Sequence, residues 1–168
     1  MKVRPANSAD IPLMIELERA CPTAAHWSEG QYQQAVGPRS DDPQRLALVA
    51  EASSGVRVVD ENPDSSPCIV GFLVARHLAS EWELENIVVA PTVRRKGLGR
   101  QLVDALLAAA RKTDSESVFL EVRESNAAAR KLYEVAGFRL TGRRTSYYAN
   151  PAEDGILYRR SPFWPFSE

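Results

Sequence analysis

Three cations and two closely spaced glycines, Arg94-Arg95-Lys96-Gly97-Leu98-Gly99, stand where a β-rich run ends and an amphipathic helical run begins. Glycine lets the backbone approach a ligand, and the first turn of a helix leaves N–H groups unpaired and pointing outward. The helix dipole and the cationic side chains add positive potential, so the turn is an anion site whose natural occupant is a pyrophosphate. The competing reading is an exposed basic turn whose glycines serve only chain reversal, and spacing alone does not separate the two. A Walker loop needs Lys-Ser or Lys-Thr after its second glycine, whereas Arg100-Gln101 follows Gly99. A dinucleotide fingerprint needs a third glycine and a following acidic partner, and these too are missing.

Further along, Glu121 lies between Leu120 and Val122 in a run otherwise built for burial, and a carboxylate there needs a partner or a purpose. Arg123, two residues on and on the same strand face, offers a structural ion pair. Tyr133 follows Leu132 in a helical run at an angle that can turn its hydroxyl toward a ligand, or it is core filler. Asn126 reads as a helix cap. His26 has no evident partner and reads as structural, and His77 alternates with strand residues and takes no role.

The elements that position these residues follow from periodicity. Residues 2 to 5 predict a strand, and Ser8 a cap for a helix carrying Ile11, Met14, Ile15 and Leu17 and stopping before Pro22. A short helix over 28 to 36 opens at Ser28 and ends at Gly37-Pro38. Leu46 to Ala50 form a strand, then Ser, Pro, Asp and Asn from 53 to 67 predict a long exposed insertion. Residues 68 to 78 and 82 to 89 predict an antiparallel pair. Leu98, Leu102, Val103, Leu106, Leu107 and Ala110 make an apolar stripe over a helix at 98 to 112. Val118 to Val122 form a buried strand. After Asn126 comes a helix with Ala128, Leu132, Val135 and Ala136 facing inward and Gly137 as its stop. Two final strands, 138 to 148 and 155 to 160, meet at a turn around Asn150-Pro151. This order predicts an α/β (α+β) fold: a mixed, mostly antiparallel central sheet of about seven strands flanked by about four helices.

The chain has 168 residues, 44% hydrophobic and 26% charged, with a net charge of −1. That is the size of a single domain spanning residues 1 to 168, and the charge balance argues against a dedicated nucleic-acid binder, which needs concentrated Lys and Arg. Cys21 and Cys68 lack metal-ligand spacing and are too few for a disulfide scaffold, so no metal is expected and a reducing compartment fits. No apolar run approaches the ~20 residues of a membrane span. A cytoplasmic protein, with no membrane partner, acting as a monomer or weak dimer, is the default.

On Arg94, Gly97 and Gly99 the chain resembles the GNAT family, whose coenzyme A loop reads Gln/Arg-x-x-Gly-x-Gly/Ala between its fourth strand and third helix. The order of elements matches the family from end to end; the insertion at 53 to 67, the charged closing strand and the tail Ser161-Pro162-Phe163-Trp164-Pro165-Phe166-Ser167-Glu168 depart from it. Within the family the chain is most similar to the ribosomal protein alanine N-acetyltransferases. That similarity rests on Ala25-His26-Trp27-Ser28, Glu85-Asn86-Ile87-Val88-Val89, Leu120-Glu121-Val122-Arg123 with Asn126, Leu132-Tyr133-Glu134 running into Gly137-Phe138, and Arg143-Arg144-Thr145-Ser146-Tyr147-Tyr148 followed by Glu153-Asp154.

The resemblance implies acetyl-CoA as cosubstrate, held by the backbone of Ile87, Val88 and Val89, by the loop Arg94, Arg95, Lys96, Gly97, Leu98, Gly99 and Arg100, and by Asn126. It implies Glu121 as general base and Tyr133 as general acid in direct transfer through a ternary complex. Trp27, Tyr32, Tyr147 and Tyr148 would line the acceptor groove, each otherwise a half-buried aromatic with a wet polar tip. The implied acceptor is the N-terminal α-amine of a protein, a ribosomal small-subunit protein beginning with alanine. An α-ammonium (pKa ~8) gives up its proton far more easily than lysine (~10.4), which favours a peptide N-terminus. Two readings stand beside it: the same chemistry on a lysine or small-molecule amine, and a coenzyme A-binding regulatory module without turnover.

Overall fold

The computed structural model describes residues 1–22, 24–36, 45–52 and 68–161. In chain order these form β1 (Lys2–Pro5), α1 (Ile11–Arg19), α2 (Glu29–Val36), β2 (Arg45–Glu51), β3 (Ile69–Leu78), β4 (Glu81–Val89), α3 (Leu98–Lys112), β5 (Ser117–Arg123), α4 (Ala127–Val135), β6 (Arg139–Ala149) and β7 (Ala152–Arg160). The strands make a seven-stranded sheet ordered β1-β2-β3-β4-β5-β7-β6. Every neighbouring pair is antiparallel except β4–β5. The mixed sheet and four helices read from the sequence are thus present. The insertion at 53 to 67, the Gly37-Pro38 stop and the tail beyond Ser161 lie outside the described residues.

Helix α3 forms where its stripe predicts, and all six stripe residues, Leu98, Leu102, Val103, Leu106, Leu107 and Ala110, are buried against the sheet. Each buried leucine stabilises the fold by roughly 1.5–3 kcal/mol relative to exposure. Gly71 of β3 is what lets the helix settle this close, since a Cβ there would lie 3.3 Å from Leu98 Cδ2 and 3.0 Å from the Val88 carbonyl oxygen.

Two local expectations are corrected. The cap before α1 is Asn7, not Ser8: Asn7 Oδ1 accepts from the Ala9 N–H at 2.9 Å and Asp10 Oδ2 accepts from the Asn7 N–H at 2.8 Å, a reciprocal capping box that opens a short 3-10 turn. Arg4 reinforces it by gripping Asp10 from β1. In α4 Tyr133 and Ala136 are buried and Ala129 and Leu132 are half-buried against the core, so Leu132 and Ala136 face inward as expected, while Ala128 and Val135 are exposed. The stripe is rotated because the aromatic ring at 133 offers far more area to bury than either small residue.

Beneath the sheet lies a polar cluster that the apolar pattern hides. Glu18 of α1 is 1% exposed and accepts from the Trp27 backbone N–H at 2.8 Å and from Asn86 Nδ2 at 2.7 Å. Asn86 also reaches the Tyr32 hydroxyl at 3.4 Å. These bonds fasten the α1–α2 connection to β4. Glu18→Ala strands both donors, each at about 1–3 kcal/mol, so urea unfolding should show a loss of about 2–6 kcal/mol, with Glu18→Gln losing less.

Candidate active site

The parallel pairing of β4 with β5 runs from Glu81↔Ser117 to Leu84↔Leu120 and stops there, although β4 continues to Val89 and β5 to Arg123. The stop coincides with a bulge: Val74 pairs Asn86 and Ala75 pairs Leu84, leaving Glu85 extra on β4. A bulge bends its strand and raises the local twist. β5 meanwhile stays with β7 as far as Arg123↔Gly155. The two strands therefore part, leaving the far half of β4 with an unpaired backbone edge.

A cavity of about 280 Å³ occupies the opening. Its β4 wall is Leu84, Glu85, Asn86 and Ile87, and its β5 wall is Glu121, Val122 and Arg123. Asn126, Ala129 and Tyr133 enter from α4, Ala24, Ala25 and His26 from the α1–α2 connection, and Tyr148 from β6. Five residues singled out in the sequence, Ile87, Glu121, Asn126, Tyr133 and Tyr148, are thus brought to one cavity.

The Glu121 carboxyl is the most unusual group there. Its Oε1 is buried and hydrogen-bonds to nothing among the described residues, while Oε2 lies 3.2 Å from Arg144 Nη1. The partner is therefore Arg144 and not Arg123, as the sequence suggested. Arg123 turns instead to Glu153 at 2.8 Å, to the carbonyls of Asn150 and Pro151, and to the Tyr148 ring at 4.2 Å. Gly155 of β7 makes room for the carboxyl: a Cβ there would lie 2.9 Å from Glu121 Cδ. Burial pushes the Glu121 pKa up, Arg144 opposes this, and the negative charge of Glu83 adds to the rise.

Tyr133 is 4% exposed, and its hydroxyl makes no hydrogen bond among the described residues. Its ring packs on Phe138 and Tyr158, and burial raises its pKa above the ordinary phenol value. Tyr148 is pushed up to about 12, by burial first and then by the charge of Glu121. Asn126 caps α4, its Oδ1 accepting from the Ala129 N–H at 3.2 Å.

The loop after β4 lies at the end of the same opening. Gly97 adopts φ 80°, the left-handed conformation that favours glycine, and the N–H groups of Arg95 through Gly99 find no acceptor among the described residues. Gly99 has a packing reason, since a Cβ would lie 3.0 Å from Leu132 Cδ2 of α4. Arg95 and Lys96 are exposed, whereas the Leu98 side chain is core. Arg100 pairs Asp104 at 2.9 Å and donates to the Val135 carbonyl at 3.1 Å, tying α3 to the end of α4. Val88 is buried and Val89 half-buried, so what they offer a ligand is backbone.

The four acceptor aromatics separate. Tyr148 reaches the cavity; Tyr147 is 51% exposed beside it, edge-on to Tyr148 and under Arg144. Tyr32 is fully buried between Trp27 and Phe72 and faces no groove, its pKa raised by burial and by Glu18. Trp27 is half-buried against it. Both support the wall formed by Ala24 to His26 from behind. The sequence reading missed Glu18 and Asn86, which hold that wall, and gave Glu85, Arg144 and Gly155 no role. Glu18 sits in an unremarkable helical polar position, but an asparagine in step with Trp82, Leu84 and Val88 on the buried face of β4 was a legible signal. Among the described residues no group of acids, histidines and cysteines is arranged to hold a metal, and no helix is long and apolar enough to cross a membrane.

The comparisons agree with this geometry. The model of the Acetyltransferase (GNAT) family matches residues 13–138. The chain is 35% identical over 153 residues to the [Ribosomal protein bS18]-alanine N-acetyltransferase of Salmonella typhimurium, covering 90% of each chain. The crystal structure of the ribosomal-protein-S18-alanine N-acetyltransferase from Escherichia coli superposes with a TM-score of 0.74 at 26% identity, over 98% of this chain and 95% of that one. Arabidopsis thaliana NAA60 in complex with acetyl-CoA shares the fold, with a TM-score of 0.79 at 18% identity over 95% and 97%. A split sheet, a glycine-bearing turn after β4 and a family match across most of the chain lead to one conclusion: the protein is an N-acetyltransferase of the GNAT family.

Proposed function

We propose that the chain transfers acetyl from acetyl-CoA to the N-terminal α-amine of a protein beginning with alanine, with a ribosomal small-subunit protein as acceptor. The observation that carries the chemistry is Glu121 Oε1, buried and without a hydrogen-bond partner among the described residues, in the same cavity as Tyr133. The acceptor assignment is supported by the relative from Salmonella typhimurium, similar over 90% of both chains. The bound acetyl-CoA in the NAA60 structure supports the choice of donor.

In this reading the pyrophosphate of the coenzyme rests on the free amides of residues 95 to 99, beside Arg95 and Lys96. The pantetheine arm adds as a strand to the open edge of β4 at Ile87 to Val89, whose backbone also holds the acetyl carbonyl. Asn126 touches the coenzyme from the start of α4. The acceptor peptide enters between the Ala24–His26 wall and Tyr147-Tyr148. Its amine nitrogen attacks the thioester carbonyl carbon, and Glu121, directly or through water, takes the proton that nitrogen loses. The tetrahedral oxyanion collapses, the carbon–sulfur bond breaks, and the thiolate accepts a proton from the Tyr133 hydroxyl. The tyrosinate then recovers a proton from solvent and the protonated Glu121 releases one to it, so one proton moves in net from nitrogen to sulfur. Burial makes Tyr133 a weaker acid than a free phenol, and the same burial raises the basicity of the thiolate forming beside it, so the proton passes between two groups in one dry cavity.

Several outcomes test this. Glu121→Gln should lower kcat by about 10²–10⁴-fold with little change in the KM for acetyl-CoA, and Tyr133→Phe should lower kcat as well. Because the base works only when ionised and its pKa is raised by burial, the acid limb of kcat/KM should lie above the ordinary carboxylate range of ~4.3 and vanish in Glu121→Gln. Against a panel of N-terminal peptides, free amines and lysine-bearing peptides blocked at the N-terminus, peptides starting with alanine should turn over fastest. Faster turnover of polyamines or blocked lysine peptides would overturn the acceptor assignment, and coenzyme binding with no thiol release across the panel would leave a non-catalytic module.

A further inference from the structure

Arg94, Arg95 and Lys96 stand together in the sequence, and the structure separates the first from the other two. Arg94 Nε donates to the Val89 carbonyl at 3.0 Å, and its Nη2 lies 3.3 Å from Cys21 Sγ. Cys21 is 3% exposed at the end of α1, and its sulfur is 4.0 Å from that same carbonyl. Arg95 and Lys96 are exposed and have no partner among the described residues. The guanidinium of Arg94 is therefore turned back onto the last residue of β4, closing the turn Ala90–Val93 into a ring and joining it to α1. Solvent still reaches the side chain, but its planar fork is committed to an acceptor that fixes its direction.

We propose that Arg94 is a positioning residue that fixes the end of β4, where the pantetheine arm and the reacting carbonyl lie, while the loop amides with Arg95 and Lys96 carry the phosphates. The inference rests on the reading of acetyl-CoA as donor. It reassigns one cation of the loop from the diphosphate to the thioester end of the substrate. A Val89 carbonyl held by a charged donor keeps the terminal peptide planes of β4 in one orientation, and the strand edge that receives the pantetheine depends on that orientation. Loss of the tie should then be felt by any donor carrying a pantetheine arm, whether or not it carries phosphates.

The test compares acetyl-CoA with acetyl-pantetheine, which lacks the phosphates and the nucleoside, using an alanine-starting peptide as acceptor. Arg94→Gln should lower kcat/KM about tenfold, the effect of one charged hydrogen bond, and by the same factor with either donor. Arg95→Ala and Lys96→Ala should reduce kcat/KM with acetyl-CoA alone. Arg94→Lys keeps the charge without the fork and should give no rescue. A loss in Arg94→Gln confined to acetyl-CoA, full recovery in Arg94→Lys, or no loss with either donor would overturn the proposal. Cys21→Ala removes the sulfur from both Arg94 and the Val89 carbonyl and leaves the Arg94–Val89 bond in place; it should produce a smaller loss common to both donors, measurable even where Arg94→Gln folds poorly. Where acetyl-pantetheine turns over too slowly to compare, the salt dependence of the KM for acetyl-CoA decides. A wild-type slope in Arg94→Gln supports positioning, and a flattened slope, as in Arg95→Ala, contradicts it. A wild-type protein that uses neither donor with this peptide would instead sink the proposed pairing of donor and acceptor.

Discussion

Two strands that start as parallel neighbours and then part company are the constraint on which the rest of this structure depends. The hydrogen-bonded pairing of β4 and β5 ends at Leu84↔Leu120, where Glu85 bulges from β4, and β5 goes on with β7 alone. An interior strand of a sheet ordinarily has both edges satisfied, so an unpaired stretch of β4 facing a cavity is an invitation to an extended ligand with amides of its own. The same divergence sets Glu121 and Tyr133 on one side of the opening and Asn86 and Ile87 on the other. A continuous ladder through residue 89 would close the cavity and leave Glu121 packed against its neighbour strand.

Holding such an opening apart requires polar anchors, because apolar contacts alone favour closing it. On one side, Glu18 binds Asn86 and the Trp27 N–H, so the wall at Ala24 to His26 is hung from α1 and β4 together. On the other, Glu153 takes both Arg123 and the Ser125 N–H, while Asp154 takes Arg143 and the Ser146 N–H. These bonds stiffen the β6–β7 end, where Arg144↔Gly155 and Tyr148↔Glu153 bracket an irregular segment of β6. Arg144 then extends from a firm base to Glu121 at 3.2 Å, close enough to bias the carboxylate, and at 57% side-chain exposure it is too wet to hold that group fully ionised.

Much of this was legible in the sequence, for reasons that differ between residues. The apolar stripe of α3 read correctly because a long amphipathic helix has one way to meet a sheet. Glu121 stood out because a carboxylate in an apolar strand violates burial, and Asn126 and Gly137 because helix ends have strong side-chain rules. Cap and face assignments failed where nearby candidates competed: Asn7 over Ser8, and Tyr133 with Ala129 over Ala128 and Val135 on the inward side of α4. The partner of Glu121 was illegible, since Arg144 is distant in sequence and meets it only through the β5–β7–β6 register. The nearer Arg123 was the sensible guess, and tertiary structure sent it to Glu153. The different fates of Arg94 and its two cationic neighbours were equally invisible, because they depend on Cys21 arriving from another element.

The central claim is that the parted strands and the loop after β4 together receive the coenzyme. Amide hydrogen exchange, followed with and without saturating acetyl-CoA, tests it most directly. Slowed exchange concentrated in residues 86 to 89 and 95 to 99 is the result this account predicts. Unchanged exchange in both segments, or protection centred on another face of the sheet, would contradict it.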